Sequence, residues 1–366
     1  MTSLEALIAL NLLPKIGPVR IRRLLDRFES PEAALSASHN DLMRIDGIGE
    51  ETAAILTKWQ DHADPATELH EVRERGLSIV QSQDPAFPPA LREAYDAPLF
   101  LYVWGKLEER DRHAIGVVGT RRITTYGRNV TKKLSFELAH AGFTIVSGLA
   151  RGVDTVAHEA ALAAGGRTVA VIGSGLAKLF PAENLALAEK IADGRGAVVS
   201  EFPLHTAPDK QTFPQRNRIV AAWSRALLVT ECPAWSGSLI TANLAAEYGR
   251  PVFAVPGPIN SPTSTGCNRL IREGATLVTD GADILDDLGE LPFSRQPSLP
   301  FAENNAVPEL PPEEASVFAA LGDQESGVDR LIDATGLPSQ VVTATLMKLE
   351  MRRLVRALPG FRYVKR

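Results

Sequence analysis

The sequence predicts an α/β protein, an extended Rossmann-like doubly wound parallel sheet flanked by a small N-terminal helical domain and a C-terminal winged helix. Two observations carry this. Seven short apolar runs at 114–118, 143–146, 168–172, 197–200, 226–230, 252–255 and 276–278 alternate with helix-like stretches. The last ~50 residues then read as three helices and a hairpin. Runs rich in Val and Ile, without polar alternation and separated by helices, imply a parallel sheet covered on both faces. Two further runs, 77–80 and 99–103, flank the proline-rich segment from Asp84 to Leu91 and read as strands added at an edge.

A length of 366 residues is a prior for two or three domains. With 45% hydrophobic and 23% charged residues, the composition excludes wholesale disorder and a membrane protein. No run of ~18 apolar residues occurs, so nothing is expected to span a membrane. The N-terminus carries Glu5 and lacks a basic leader, which argues against a signal peptide. Cys232 and Cys267 form neither a disulfide framework nor a metal motif, so the expectation is a cytoplasmic protein without metal or cofactor.

The formal net charge of -5 argues at first sight against a nucleic-acid partner. Its distribution reverses that. Residues 280–315 hold nine acids against Arg295, with six prolines, and read as a helix end followed by an extended linker. Setting that -8 aside leaves +3 for the rest of the chain. The domains expected are therefore 1–65, 66–290, a linker at 291–312, and 313–366.

Residues 1–65 look like a SAM-like helix-hairpin-helix pair. In the better copy Gly47 and Gly49 bracket Ile48, and such a turn can aim backbone N–H groups at a phosphate. The other copy has Pro18 where the second glycine would stand, which removes a donor. In the last domain, helices are expected at 314–321, 328–335 and 340–349 and a hairpin at 354–358 and 361–364. Its final 21 residues carry seven bases against Glu350. Since the third helix offers only Lys348, the cationic wing with Arg353, Arg356 and Arg362 is the better contact for a phosphate or an acidic partner.

Ligands of a parallel sheet bind at the strands' carboxyl ends. After the first run, Gly119, Thr120 and Arg121 combine close backbone approach, a helix N-terminus and a guanidinium, which reads as an anion site. Lys132 and Lys133 downstream read as a solvated helix face. After the second run, Ser147, Gly148 and Arg151 form a small-residue loop, and His158 in the next helix reads as structural. After the third, Lys178 supplies charge and Phe180 an aromatic face, the pairing that holds a single strand. Phe213, Arg216, Asn217 and Arg218 enter a later helix and suit a phosphate-rich ligand. A nicotinamide site is not expected, since neither the Gly-x-Gly-x-x-Gly turn nor the ribose acid is present.

VVGTRRITTYG, SGLARGVDTVAHEAAL, FPQRNRIVA, SGSLITANLAAEYGRPVFAVPG and GCNRLIREGA, in this order, resemble the DNA-processing protein A (DprA/Smf) family. The match runs over roughly 80–285, and the flanking domains resemble the longer members. The resemblance implies a single-stranded DNA-binding protein of natural transformation that dimerises through its Rossmann-like domain, protects incoming DNA and loads RecA. Carried over by motif, its pocket includes Gly119, Arg121, Ser147, Gly148, Phe180, Arg216, Asn217 and Arg218. Residues 176–181 depart from the family's commoner Gly-Leu-Asp-x-x-Tyr-Pro form at Ala177 and Phe180, which keeps base stacking but loses a hydroxyl. The alternative is a nucleotide-processing enzyme of the phosphoribohydrolase-like class. That class has a catalytic Glu soon after its Pro-Gly-Gly-x-Gly-Thr loop, and residues 236–244 here carry none. No catalytic residue is therefore expected.

Overall fold

The computed structural model describes residues 1–289, 311–321, 326–351, 355–358 and 362–365. The expected linker lies outside these, apart from its last two positions. The chain divides into two compact units, 1–294 and 295–366.

All nine expected strands form one sheet. They are β1 (Ser78–Gln81), β2 (Phe100–Gly105), β3 (Ala114–Val118), β4 (Thr144–Ser147), β5 (Arg167–Val171), β6 (Gly196–Ser200), β7 (Ala226–Val229), β8 (Val252–Ala254) and β9 (Thr276–Leu277). Their spatial order is β1-β2-β6-β5-β4-β3-β7-β8-β9. From β6 to β9 every pairing is parallel, whereas β1 and β2 add antiparallel at one edge. The chain winds outward from β3 to β6 and then returns to the other side of β3 with β7. The order reverses there, so a crevice opens above the carboxyl ends of β3 and β7.

Burial on both faces explains the uninterrupted apolar runs. Alternate residues of one strand enter different cores: Ile115 and Val117 pack with Leu134, Leu138 and Ala157, while Ala114 and Val118 pack with Ile219, Trp223 and Ala242. The first group belongs to helices Thr125–His140 and Val153–Ala163, the second to Thr212–Trp223 and Gly237–Glu247. Two helical layers thus clamp the sheet.

The N-terminal helices close their own core around Leu10, Leu24, Leu42 and Leu56. A Thr2–Glu5 capping box opens the first of them. Pro18 begins a helix, Pro18–Phe28, where its missing N–H costs no intrahelical bond. The module packs on the sheet through Ile8, Val72, Phe100 and Tyr102. Arg22 also donates to the Ala97 carbonyl at 2.7 Å.

The second unit has helices Pro312–Ala320, Val328–Thr335 and Ser339–Met351 around Val317, Leu331, Val342 and Leu346. Strands β11 (Val355–Leu358) and β12 (Arg362–Lys365) pair antiparallel, and a short β10 (Ser326–Gly327), which the pattern did not predict, joins β12. This is a winged helix.

His158 is fully buried on helix Val153–Ala163. Its Nδ1 lies 2.7 Å from the Thr168 hydroxyl, which donates onward to the Ile145 carbonyl at 2.6 Å. The ring therefore donates from Nδ1, and Nε2 is buried without a hydrogen-bond partner. Burial, reinforced by the charge of Arg216, pushes the imidazole down to about 3 from 6.5. The unfolded chain takes up this proton first, so the contribution to stability is present above about pH 6.5 and is lost as pH falls toward 3. Going from pH 7 to pH 5 costs about 2 kcal/mol through this group. His158→Gln should shrink the stability difference between those pH values by that amount in urea unfolding; an unchanged difference would contradict a buried neutral ring.

Candidate functional site

Three loops and one helix meet above the carboxyl ends of β3, β4 and β5. Arg216, on helix Thr212–Trp223, is 4% exposed and holds them together. Its guanidinium donates to the carbonyls of Gly148, after β4, and Val171, at the end of β5. Asp154 opposes it, accepting the N–H groups of Gly148 (3.1 Å) and Ala150 (3.3 Å). Burial holds the Asp154 carboxyl above its ordinary range, against the pull of Arg216 and these donors. The Arg216 guanidinium is pushed down to about 10 by the same desolvation, with Asp154 opposing the shift and Arg121 adding to it, and stays charged at neutral pH. Position 148 must be glycine, because a Cβ there would stand 2.5–2.6 Å from the guanidinium.

Two adjoining cavities open beside Arg216. A narrow one of about 60 Å³ is lined by Arg121, Gly148, Arg151, Phe180, Phe213 and Arg216. A wider groove of about 430 Å³ runs from Gly119, Thr120 and Arg121 past Phe213, Arg216 and Asn217 to the start of helix Gly237–Glu247. The Arg121 guanidinium sits 4.9 Å over the Phe213 ring, and the Phe180 and Phe213 rings are 6.0 Å apart. Charge and aromatic faces are thus interleaved.

Nine of the expected residues line these cavities: Gly119, Thr120, Arg121, Gly148, Arg151, Phe180, Phe213, Arg216 and Asn217. Arg151 is also held by the Glu183 carboxylate. Three do not line them. Ser147 is buried and its hydroxyl donates to the Val117 carbonyl at 2.6 Å, which makes it a brace between strands. Lys178 is exposed on a short helical turn, Leu176–Lys178, beside the site. Arg218 faces the other way, because positions two apart on a helix do not share a face. It grips both Glu201 carboxylate oxygens and the Asp96 carbonyl (2.6 Å) in a buried cluster.

The expected anion site at the helix N-terminus after β3 is already filled. Buried Glu231 accepts the Thr124 N–H (2.8 Å) and hydroxyl (2.6 Å), and a Cβ at Gly127 would collide with its carboxylate. An internal carboxylate satisfies these donors, so the side chain of Arg121 rather than the helix end faces the groove. Lys210 and Trp235, which belong to none of the sequence motifs, also line the wider groove. Lys210 lies three residues before Phe213, and its proximity to that aromatic was the available signal.

Elsewhere, Gly47 takes a positive φ of +80° and Gly49 precedes helix Glu50–Thr57. Arg23 closes over this turn, donating to the Asp46 carbonyl at 2.7 Å, and Glu50 and Glu51 occupy the helix's first turn. Those acids disfavour a phosphate there. In the second unit Arg362 is exposed on β12 and Arg356 lies in β11, while Arg353 falls outside the described residues. Among the described residues no group of three or more His, Cys, Asp or Glu is placed to hold a metal, and no helix is long and apolar enough to cross a membrane.

Residues 78–289 match the family model described as DNA recombination-mediator protein A. Residues 301–360 match a DprA winged helix domain, and 5–57 a SAM-like helix-hairpin-helix tandem. Protein Smf of Synechocystis is 35% identical over 96% of both chains. The X-ray structure of DNA processing protein A from Streptococcus pneumoniae is similar at TM-score 0.68 and 34% identity, covering 80% of this chain and 99% of that one. DNA processing protein A from Helicobacter pylori, whose solved structure concerns its single-stranded DNA binding mode, is similar at TM-score 0.52 and 32% identity, covering 58% and 95%.

The two arginines give opposite expectations for stability. Arg218→Ala strands a buried carboxylate and should destabilise the protein by about 3–5 kcal/mol, whereas exposed Arg121→Ala should stay within about 0.5 kcal/mol. Equal effects in urea unfolding would contradict the division.

Proposed function

This chain belongs to the DNA recombination-mediator protein A family, and from that premise we propose that it binds single-stranded DNA in the groove above β3, β4 and β5. The carrying observation is that Arg121, Phe180, Phe213 and Arg216 line adjoining cavities at the carboxyl ends of the strands. Guanidinium and ammonium groups neutralise the backbone, and aromatic faces stack on unpaired bases, a combination that tolerates any sequence. A duplex keeps its base faces stacked on one another and gains only the charge contacts. The finer reading follows the family: a cytoplasmic homodimer, joined through the Rossmann-like domain, that protects incoming strands during natural transformation and loads RecA onto them. Exposed apolar side chains on this domain support a dimer surface there: Leu277, on the edge strand β9, is 47% exposed, and Ile259, in the loop after β8, is 98% exposed.

Binding without bond breaking is the reading preferred for this groove. Asp154 is the one carboxylate among its lining residues; its Oδ2 accepts the Gly148 and Ala150 N–H groups, and the charge of Arg216 faces it. A phosphoribohydrolase-like enzyme needs a carboxylate free to steady a sugar cation.

Affinity for an oligothymidylate should fall with salt. With Arg121, Lys210 and Arg216 each meeting a phosphate, the log–log slope should be about −2. Arg121→Glu should weaken binding by at least tenfold and flatten the slope by about 0.7 for the phosphate contact it loses. Salt-independent binding, or unchanged affinity in the variant, would overturn the proposal. A RecA filament-assembly assay on the same strand tests the finer part, which fails if assembly is not accelerated.

A further inference from the structure

Trp235 is 96% exposed, an unusual position for the side chain with the largest apolar surface. It stands on the wider groove, which Arg121, Lys210, Phe213 and Asn217 also line. The loop carrying it is anchored. The Cys232 carbonyl accepts the Gly266 N–H at 2.7 Å, and Ser236 caps helix Gly237–Glu247 through the Ser238 N–H at 3.3 Å. Beside it, Gly237 has nothing within 4 Å of where a Cβ would be, so the neighbouring space is open. The groove's other aromatic is less available. Phe213 is half-buried, with the Arg121 guanidinium 4.9 Å over its ring and Phe180 6.0 Å away.

We propose that Trp235 is a second stacking platform for an unpaired base, so that the groove takes at least two bases, one at Phe213 and one at Trp235, with Lys210 and Arg121 as the cations for the backbone between. The inference rests on the single-strand reading above and adds a residue to it. A rigid indole on an anchored loop loses little conformational freedom on binding, and an indole face accepts any base. The exposed ring gains by burial against a base what it forgoes in the free protein.

The chain supplies its own reporter. Of the four tryptophans, Trp223 is buried and Trp59 and Trp104 are half-buried, which leaves Trp235 as the one exposed indole. Titrating the full-length protein with an oligothymidylate should quench a component of its emission and shield it from acrylamide, and a duplex should do neither. The quench should vanish in Trp235→Ala, with affinity by anisotropy lower by about 5- to 150-fold, the equivalent of ~1–3 kcal/mol per stacked base. Trp235→Phe should recover most of that affinity. If the oligonucleotide binds Trp235→Ala as tightly as the parent and leaves the parent's emission unchanged, the inference is overturned, the groove reading stands, and the indole belongs to a protein contact. If the parent binds no oligothymidylate at low salt, the groove reading falls and takes this inference with it.

Discussion

The guanidinium of Arg216 reaches from helix Thr212–Trp223 to carbonyls at the ends of two parallel strands, Gly148 after β4 and Val171 in β5, with Asp154 opposite. Withdrawing such a group from water costs several kcal/mol, and it is tolerated because carbonyl oxygens and a facing carboxylate replace the lost solvent. The same cost fixes its surroundings. Residue 148 cannot carry a side chain, Asp154 must hold the loop N–H groups, and His158 is kept neutral nearby. A positive charge that cannot be hydrated from behind is left at the edge of the groove, where an anion can meet it.

Around this fixed charge the other ionic groups take different tasks. Arg218, two residues further on, ties helix Thr212–Trp223 to Glu201 just past the end of β6 and to Asp96, and Arg22 of the hairpin module adds its charge to that cluster. Glu231 spends its carboxylate on the turn that begins helix Thr125–His140. With the helix end satisfied internally, Arg121 is free to lie over Phe213 and turn toward the groove. Structural charges are buried and paired, whereas Arg121 and Lys210 stand at the rim where salt and a ligand can reach them.

The sheet was legible because a parallel strand buried on both faces is written as an apolar run, and each run between 114 and 278 became a strand. The winged helix was equally visible, except for β10, whose two residues are strand only because β12 lies beside them. The site was legible in part. Glycines, aromatics and arginines at strand ends pointed to loops that meet in the fold, and nine of those residues line the cavities there. The misplacements have physical causes. Arg216 and Arg218 look alike in the sequence, but positions two apart on a helix face in different directions. Glu231 lies 107 residues from the turn it fills, a contact no local pattern records. Lys210 and Trp235 sit in loops without periodicity, and only the folded groove brings them together.

Nothing about net charge would have located this site, since the acidic balance of the chain is concentrated in residues 280–315 while the groove is cationic. Its location is also the claim most open to direct test. A structure of the full-length protein with a short oligothymidylate should show unpaired nucleotides above the carboxyl ends of β3, β4 and β5, with a phosphate at Arg121 and a base against Phe213. Nucleotides seated instead at the Gly47–Gly49 turn or on the C-terminal wing, with the groove vacant, would contradict the account.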